Sequence, residues 1–444
     1  MNAETEAARA ALGVPVRPHA PSVWASSGMP APAMPALDRD VDTDVAIIGA
    51  GFTGLNAAWE LVQRGVPCVV IDATDAGWGA SGRNGGMAVL RYKKSWSALA
   101  GRLGDAAALA LYRWIHEAVD GLERNVQDLG IDCEFKRYGH ITAANGPRAL
   151  AELERDCAWL ASRANDRVPK AMDALGARQL IGTDAYYGAY LDPRSAGIHP
   201  LNYARGFAKA LLARGVPMYG ETPASALRVE AGNVKVLTPN GTITAKHVLV
   251  CTNGYTDLFG FQQNIARRVV PVSTSVVTTG PLSPELRATI LPQGHLVTDT
   301  RHLVNYFRSV PGNRLLFGGR GSLSGRESPE IYEGLIGHLH RTFPALRGTA
   351  IDHRWSGMVA VTMDDFPHLG AVGDRVFFAL GYGGRGVALT NLLGKHIARY
   401  ALGQRAALGP MSEPAFLPIP MHGLRIPAMN VVASYYKLRD RLRL

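Results

Sequence analysis

Two stretches of this chain carry glycines at the G-x-G-x-x-G spacing that lets a backbone lie against a phosphate. Gly49, Gly51 and Gly54 stand in "DVAIIGAGFTGLNAAWEL", and Gly381, Gly383 and Gly386 in "VFFALGYGGRGVALTNLLGK". The first is the more complete. Its short β-branched run reads as a buried parallel strand. Leu55, Ala58, Trp59 and Val62 then recur at helical spacing, Gly65 closes that helix, and "VPCVVID" makes a second strand ending at Asp72. Gly49 allows a tight turn, Gly51 lets a pyrophosphate approach, and Gly54 lets helix and strand pack closely. The helix N-terminus offers N–H groups to the phosphates, and Asp72 can accept the hydroxyl protons of an adenosine ribose.

The next stretch, "GWGASGRNGGMAV", points to a cofactor longer than a nicotinamide dinucleotide. Gly79, Gly82, Gly85 and Gly86 let backbone lie against a flat or phosphorylated group, and Ser81, Arg83 and Asn84 offer donors. A second complete nucleotide unit is not expected at residues 381–386. One helix follows that loop, with neither a second strand nor an acid at its end, and a dinucleotide unit needs both.

These segments resemble the glycine oxidase/D-amino acid oxidase family of FAD enzymes. The first loop with "GASGRNGG" is similar to the family's opening signature. "YYGAYLDPRSAGIHPLNYARGFAKAL", "RLLFGGR", "RWSGMVAVTMDDFPHLG" and "GYGGRGVALTNLLGK" follow in the family's order. The resemblance runs from about residue 22 to the end of the chain. Within the family it is strongest to enzymes acting on gamma-glutamylputrescine, and the tail "LRIPAMNVVASYYKLRDRL" shares in it.

The resemblance implies an FAD cofactor, expected here to be held non-covalently, and no metal is expected. Its cofactor contacts fall on Gly49, Gly51, Phe52, Thr53, Gly54, Asp72 and Ala73, then on Gly79, Ala80, Ser81, Gly82, Arg83, Asn84, Gly85 and Gly86. Ala224, Thr252, Asn253, Gly254 and Gly357 join them, with Gly383, Gly384, Arg385, Gly386 and Val387 against the ribityl chain and ring. The reaction implied is oxidation of a C–N bond: hydride passes to flavin N5, the imine hydrolyses to an aldehyde, and O2 becomes H2O2. The expected substrate is a small amine tagged with an acid, of the gamma-glutamylputrescine type. Alternatives are oxidation of amino acids, N-methylated amines or aminophosphonates, or an amine dehydrogenase with another acceptor, for which the basic tail would be a docking surface. Sarcosine-oxidising relatives hold the substrate carboxylate with a lysine two residues beyond the last glycine of the second loop. Ala388 stands there, which favours a remote acid group over a plain α-amino acid. Covalent relatives attach the ring to histidine or cysteine; no histidine follows the first loop before His116, and Cys251 reads as packing.

Trp355, Tyr306 and Arg385 are the candidate pocket residues. Trp355 could wall the ring or fill a core. Tyr306 and Arg308 alternate on one strand and share a face. Arg308 and Arg320 could clamp a carboxylate or form structural ion pairs, and His140 could line the pocket or be a satisfied strand histidine. The amine must be neutral to react, so desolvation of the pocket suffices and no general base is required.

The elements that must position these groups suggest an α/β fold with added β structure. A discontinuous FAD-binding Rossmann-like domain of the glutathione-reductase type is expected over residues 41–90, 191–257 and 351–410. A mixed α+β substrate domain is expected over 91–190 and 258–350, with an extended arm at 1–40 and a C-terminal extension at 411–444. Pro200 suits the first turn of a helix, and "VPMYGETPASALRVEAGNVKVLTPNGTITAKHVLV" alternates through turn signals as a β-meander. The chain has 444 residues, 19% of them charged and 47% hydrophobic, enough for two domains around a buried site. Its net charge of +10 is dispersed except at the tail, without the spacings of nucleic-acid modules. The four cysteines form no C-x-x-C pair, and the N-terminal stretch lacks an apolar core of the secretory kind. A cytoplasmic protein without a membrane span is expected.

Overall fold

The run that opens the first motif lies in the strand Val41–Ile48, whose last four residues are fully enclosed. It pairs in parallel with Cys68–Ile71 on one side and Gly241–Val250 on the other. The sheet continues to Met218–Tyr219 beyond the first neighbour and to Val376–Leu380 beyond the second, both in parallel. His368–Val372 closes that edge antiparallel. The meander is present: Ala226–Val229 and Val234–Thr238 form a hairpin that leads into Gly241–Val250. The computed structural model describes residues 18–258, 263–321, 328–412 and 416–442.

Three helices cover this sheet and carry the site. Phe52–Gln63 starts at Gly51, Gly386–Ala401 starts at Arg385, and Pro200–Leu212 starts with proline in its first turn. The first two cross closely at Gly394, where a Cβ would stand 2.5 Å from the Asn56 Cβ and 2.6 Å from the Thr53 carbonyl oxygen. Glycine is the residue that allows this approach. Beside the crossing, Asn391 Oδ1 accepts from Asn56, Asn125 and Tyr203, while its amide donates to the carbonyls of Val387 and Ala388. Asn125 belongs to the long helix Asp105–Leu129, which therefore packs on the nucleotide-binding side although its sequence position falls in the 91–190 segment.

A second, mixed sheet runs in the order Ile351–Val361, Val270–Thr279, Arg314–Arg320, Tyr306–Val310, Leu296–Asp299, His140–Ala144, Gly188–Asp192 and Lys170–Asp173. Ile351–Val361 corrects the expected boundary at residue 351. It pairs with Val270–Thr279 along almost its whole length, so it belongs to the second sheet and the chain returns to the first only at His368. The arm is also less simple than expected. Within residues 18–40, Ser22 caps a short helix, Val23–Ser27, and Trp24 is wholly buried; residues 1–17 of the arm lie outside the described residues.

Candidate active site

Both glycine loops leave the carboxyl ends of strands in one parallel sheet, with Gly241–Val250 between those strands. Two strand spacings, about 10 Å, separate them. A single ligand lying across the strand ends reaches both, which is the usual place for a dinucleotide in such a sheet.

The first loop is shaped for close backbone approach. Gly49 has φ +111°, and a Cβ there would meet the Cys251 carbonyl oxygen at 3.0 Å. A Cβ on Gly54 would stand 2.0 Å from the Gly49 carbonyl oxygen. Gly51 brings no capping side chain to the helix it begins, and the Ser81 hydroxyl accepts from the Phe52 N–H at 3.0 Å. Asp72, beyond the end of the second strand, accepts from the Ala50 N–H (2.8 Å) and from the N–H and hydroxyl of Thr74 (2.9 and 3.0 Å). Burial pushes its carboxyl above the usual range, and those donors pull it back. The Asp72 carbonyl accepts from the Thr222 N–H, which draws the segment leading to buried Ala224 alongside Asp72.

The polar loop from Gly79 to Gly86 is held from behind. The Trp355 indole donates to the Arg83 carbonyl and the Trp24 indole to the Asn84 carbonyl, both at 2.8 Å. Arg308 donates to the carbonyls of Gly86 and Ile198 at 2.8 and 3.1 Å. The Asn84 side chain closes the turn, donating to the carbonyls of Ala80 and Ser81 and accepting from the Gly86 N–H. Arg83 lies over the Trp78 ring and donates to its carbonyl, and the Gly357 backbone passes close to the Arg83 side chain. Trp355 is thus an enclosed support 1% exposed, and Arg308 spends its donors on backbone instead of a carboxylate. Tyr306 lies on the Gly85 side of this loop, its ring edge 3.0 Å from where a Gly85 Cβ would sit. The side chain of Arg320 lies outside the described residues.

The second loop is tied to the first. Thr53 donates its hydroxyl to the Tyr382 hydroxyl at 2.9 Å, and Asn253 Oδ1 accepts from the Gly381 N–H at 3.0 Å. Thr252 shares a hydrogen bond with Thr256, and Gly254 packs on the Met358 backbone. Gly383 and Gly384 have φ +55° and +89°, and a Cβ on Gly384 would meet nothing within 4 Å. The loop therefore presents bare backbone to open space at the N-terminus of the helix beginning at Gly386 and Val387, where partial positive charge concentrates.

Beside this opening stand two guanidinium groups. Arg385 is half-buried and, among the described residues, has no carboxylate partner. Burial, and then the nearby charge of Arg91, lower its pKa to about 10. Arg91 is buried, lies over the Tyr190 ring and pairs with Asp156 at 2.7 Å through one nitrogen, while its other terminal nitrogen has no hydrogen-bond partner among the described residues. His140 faces both. Burial, then Arg385 and Arg91, push its pKa well down, so it is neutral, and its Nε2 is hydrogen-bonded to the Thr298 hydroxyl at 2.9 Å. The Thr142 hydroxyl, on the same strand face as His140, is buried without a partner among the described residues. Ala388 is enclosed in the helix interface and leaves this charge to the arginines. Sequence reasoning missed Arg91 and Trp24. An arginine inside the apolar run "MAVLRY" was a usable signal for the first; nothing local marks the second.

These residues fit an FAD: a bare-backbone cradle at each end of one sheet edge, a half-buried acid, Asp72, of the kind that accepts ribose hydroxyl protons, and a braced polar loop between. The comparisons agree. Residues 44–400 match the family model described as FAD dependent oxidoreductase (DAO). The gamma-glutamylputrescine oxidoreductase of Escherichia coli (strain K12) is 32% identical over 96% of this chain and 99% of its own. A glycine oxidase of Bacillus licheniformis is 25% identical over 81% of this chain and 93% of its own. The solved glycine oxidase of Geobacillus kaustophilus superposes with a TM-score of 0.72 at 21% identity, covering 86% of this chain and 99% of that one. The chain belongs to the DAO family of FAD-dependent oxidoreductases, with FAD as cofactor and the C–N bond of an amine or amino acid as the bond it oxidises.

Proposed function

We propose that the substrate is an amine carrying an acid group remote from the nitrogen, gamma-glutamylputrescine or a close analogue, and that O2 is the electron acceptor. The observation that carries this reading is Arg385, a guanidinium at the opening with no carboxylate partner among the described residues. Arg91, half-satisfied by Asp156, adds a donor of the same sign. Such a pair matches a carboxylate, since guanidinium forks bind that group in a fixed plane. The name of the E. coli relative supports the same substrate class, and relatives named as oxidases support O2.

When bound, FAD supplies the two-electron acceptor for the hydride that leaves the carbon. The chain's own groups set the state of the amine. Two guanidinium groups in a partly desolvated opening disfavour an ammonium, so the amine enters reaction neutral, with its lone pair free. Neutral His140 is already engaged by Thr298, and a neutral amine needs no general base. The FAD is held without a covalent bond. Cys251 is enclosed, burial pushes its thiol far up, and only the thiolate would attack a ring.

Anaerobic flavin bleaching against gamma-glutamylputrescine, putrescine, sarcosine, glycine and aminoethylphosphonate, paired with a peroxide assay in air, tests the proposal. Fastest bleaching by gamma-glutamylputrescine, with peroxide formed, is expected. Equal or faster bleaching by glycine overturns the substrate class. Bleaching without peroxide overturns the acceptor.

A further inference from the structure

We propose that the C-terminal helix seats this enzyme on an anionic lipid surface. The helix Arg425–Leu442 has two stripes with different partners. At about 100° per residue, Met429, Ala433, Tyr436 and Asp440 share one side, while Ala428, Val431, Tyr435 and Leu438 share the other. The first stripe is bolted to the body. Ala433 is buried, Tyr436 stacks on His302 with ring centroids 4.9 Å apart, and the Asp440 carboxylate accepts from the N–H groups of His302 and Leu303 at 2.8 and 3.0 Å. The second stripe faces solvent, with Val431 71%, Tyr435 56% and Leu438 53% exposed.

Among the described residues, the well-exposed large apolar side chains concentrate between Leu417 and Leu438, and the remainder are scattered singly. A contiguous apolar patch of this kind marks an interaction surface, whereas single exposed leucines do not. Charge selects the occupant. From residue 425 onward the sequence carries Arg425, Lys437, Arg439, Arg441 and Arg443 against one acid, Asp440. That acid is spent on the body, so among the described side chains the helix presents an apolar stripe outward with the cations Lys437 and Arg439 beside it. A second copy of the same helix would bring cations against cations. The outward stripe also spans fewer than the three to four heptads that sustain a coiled coil. An interfacial helix instead combines an apolar face with basic residues and an aromatic at the headgroup level, the pattern of Val431, Tyr435, Leu438, Lys437 and Arg439. No helix among the described residues is long and apolar enough to cross a membrane, so the contact is one of lying on the surface.

The test is co-sedimentation of the full-length, FAD-loaded enzyme with vesicles of phosphatidylcholine, with and without 30% phosphatidylglycerol. The doubly substituted chain Val431→Asp, Leu438→Asp is compared in parallel; both positions are exposed, and flavin content and amine oxidation report that it is folded. Binding to the phosphatidylglycerol vesicles is expected, at least tenfold weaker in the substituted chain and weakened by added salt, with amine oxidation unchanged. Failure of the unsubstituted enzyme to sediment overturns the proposal, as does equal sedimentation of the substituted chain. A dimer that becomes monomeric on substitution, without vesicle binding, overturns it in favour of a second copy.

Discussion

Trp24 and Trp355 donate their indole N–H groups to adjacent carbonyls, those of Asn84 and Arg83, each at 2.8 Å. They come from opposite ends of the chain and meet in one cluster with Val276 and Leu316. Together they fix the polar loop before a ligand arrives, so the ordering cost is met during folding instead of binding. Replacing either by phenylalanine keeps most of the ring and leaves one buried carbonyl unpaired, a loss of about 1–3 kcal/mol. Trp24→Phe and Trp355→Phe are each expected to weaken FAD binding about tenfold, converting that loss at about 1.4 kcal/mol per decade. Flavin fluorescence titration of the apoprotein measures it. Unchanged affinity in both would show that the loop needs no bracing.

His199 should carry part of the acid sensitivity. Its Nδ1 accepts from the Asn202 N–H at the start of a helix, its Nε2 lies 3.2 Å from the Ser27 hydroxyl, and its ring meets Trp24 edge-on at 4.9 Å. Burial lowers its pKa from 6.5 to about 4. Between those values the unfolded chain binds the proton and the folded chain does not, so stability falls as pH drops from 6.5 towards 4. A shift of that size corresponds to about 3 kcal/mol. His199→Asn keeps a capping acceptor and removes the titration. Urea melts at pH 7 and pH 4.5 should differ less in that variant; an unaltered difference would place the acid sensitivity elsewhere.

The crossing at Gly394 should tolerate no side chain. An added Cβ would meet the Thr53 carbonyl oxygen at 2.6 Å, and backbone cannot rotate away as a side chain can. Gly394→Ala is expected to cost about 1–3 kcal/mol by overpacking and to part the two helices that carry the glycine loops. Gly334, in the helix Pro329–Thr342, has nothing within 4 Å of its added Cβ. Gly334→Ala should be neutral or stabilise by about 0.5–1 kcal/mol. Denaturation of the two variants side by side gives opposite signs, and a shared sign would refute the packing account.

Flavin attachment has a simpler readout. Acid precipitation should release yellow colour into the supernatant, and Cys251→Ala should hold as much FAD as the unsubstituted chain. Colour that stays with the pellet, and is lost in Cys251→Ala, would show a thioether.

What could be read from the sequence was local. The turn at Gly49, the helix after it and the acid at Asp72 fall within 24 residues, and each constrains the next through backbone geometry. The lack of a second strand signal after Gly386 is equally readable, and among the described residues beyond Ala401 no strand follows. Contacts made across the chain were not. Trp24 sits in a five-residue helix too short to show periodicity, and its partner lies 60 residues away. Ile351–Val361 reads as a strand in either sheet, because alternation states that a strand has two faces and says nothing of which neighbour it pairs with. By residue type Arg308 reads as an anion clamp or a structural ion pair, and only the carbonyls of Gly86 and Ile198 reveal that it braces backbone.

Arg385 is where substrate class becomes testable by a single side chain. If it receives the remote carboxylate, truncation removes binding made equally in ground and transition states, which raises KM and leaves kcat nearly unchanged. Arg385→Met is therefore expected to raise KM for gamma-glutamylputrescine by about a hundredfold, a loss of about 3 kcal/mol, in line with a charge-assisted hydrogen-bonded pair. KM for putrescine, which lacks the acid, should hold constant or fall, since one cation fewer faces a cationic amine. Arg385→Lys restores the charge without the planar fork and should recover part of the loss. Equal damage to both substrates would mean that Arg385 serves the flavin loop, and the acid-tagged reading would fall with it.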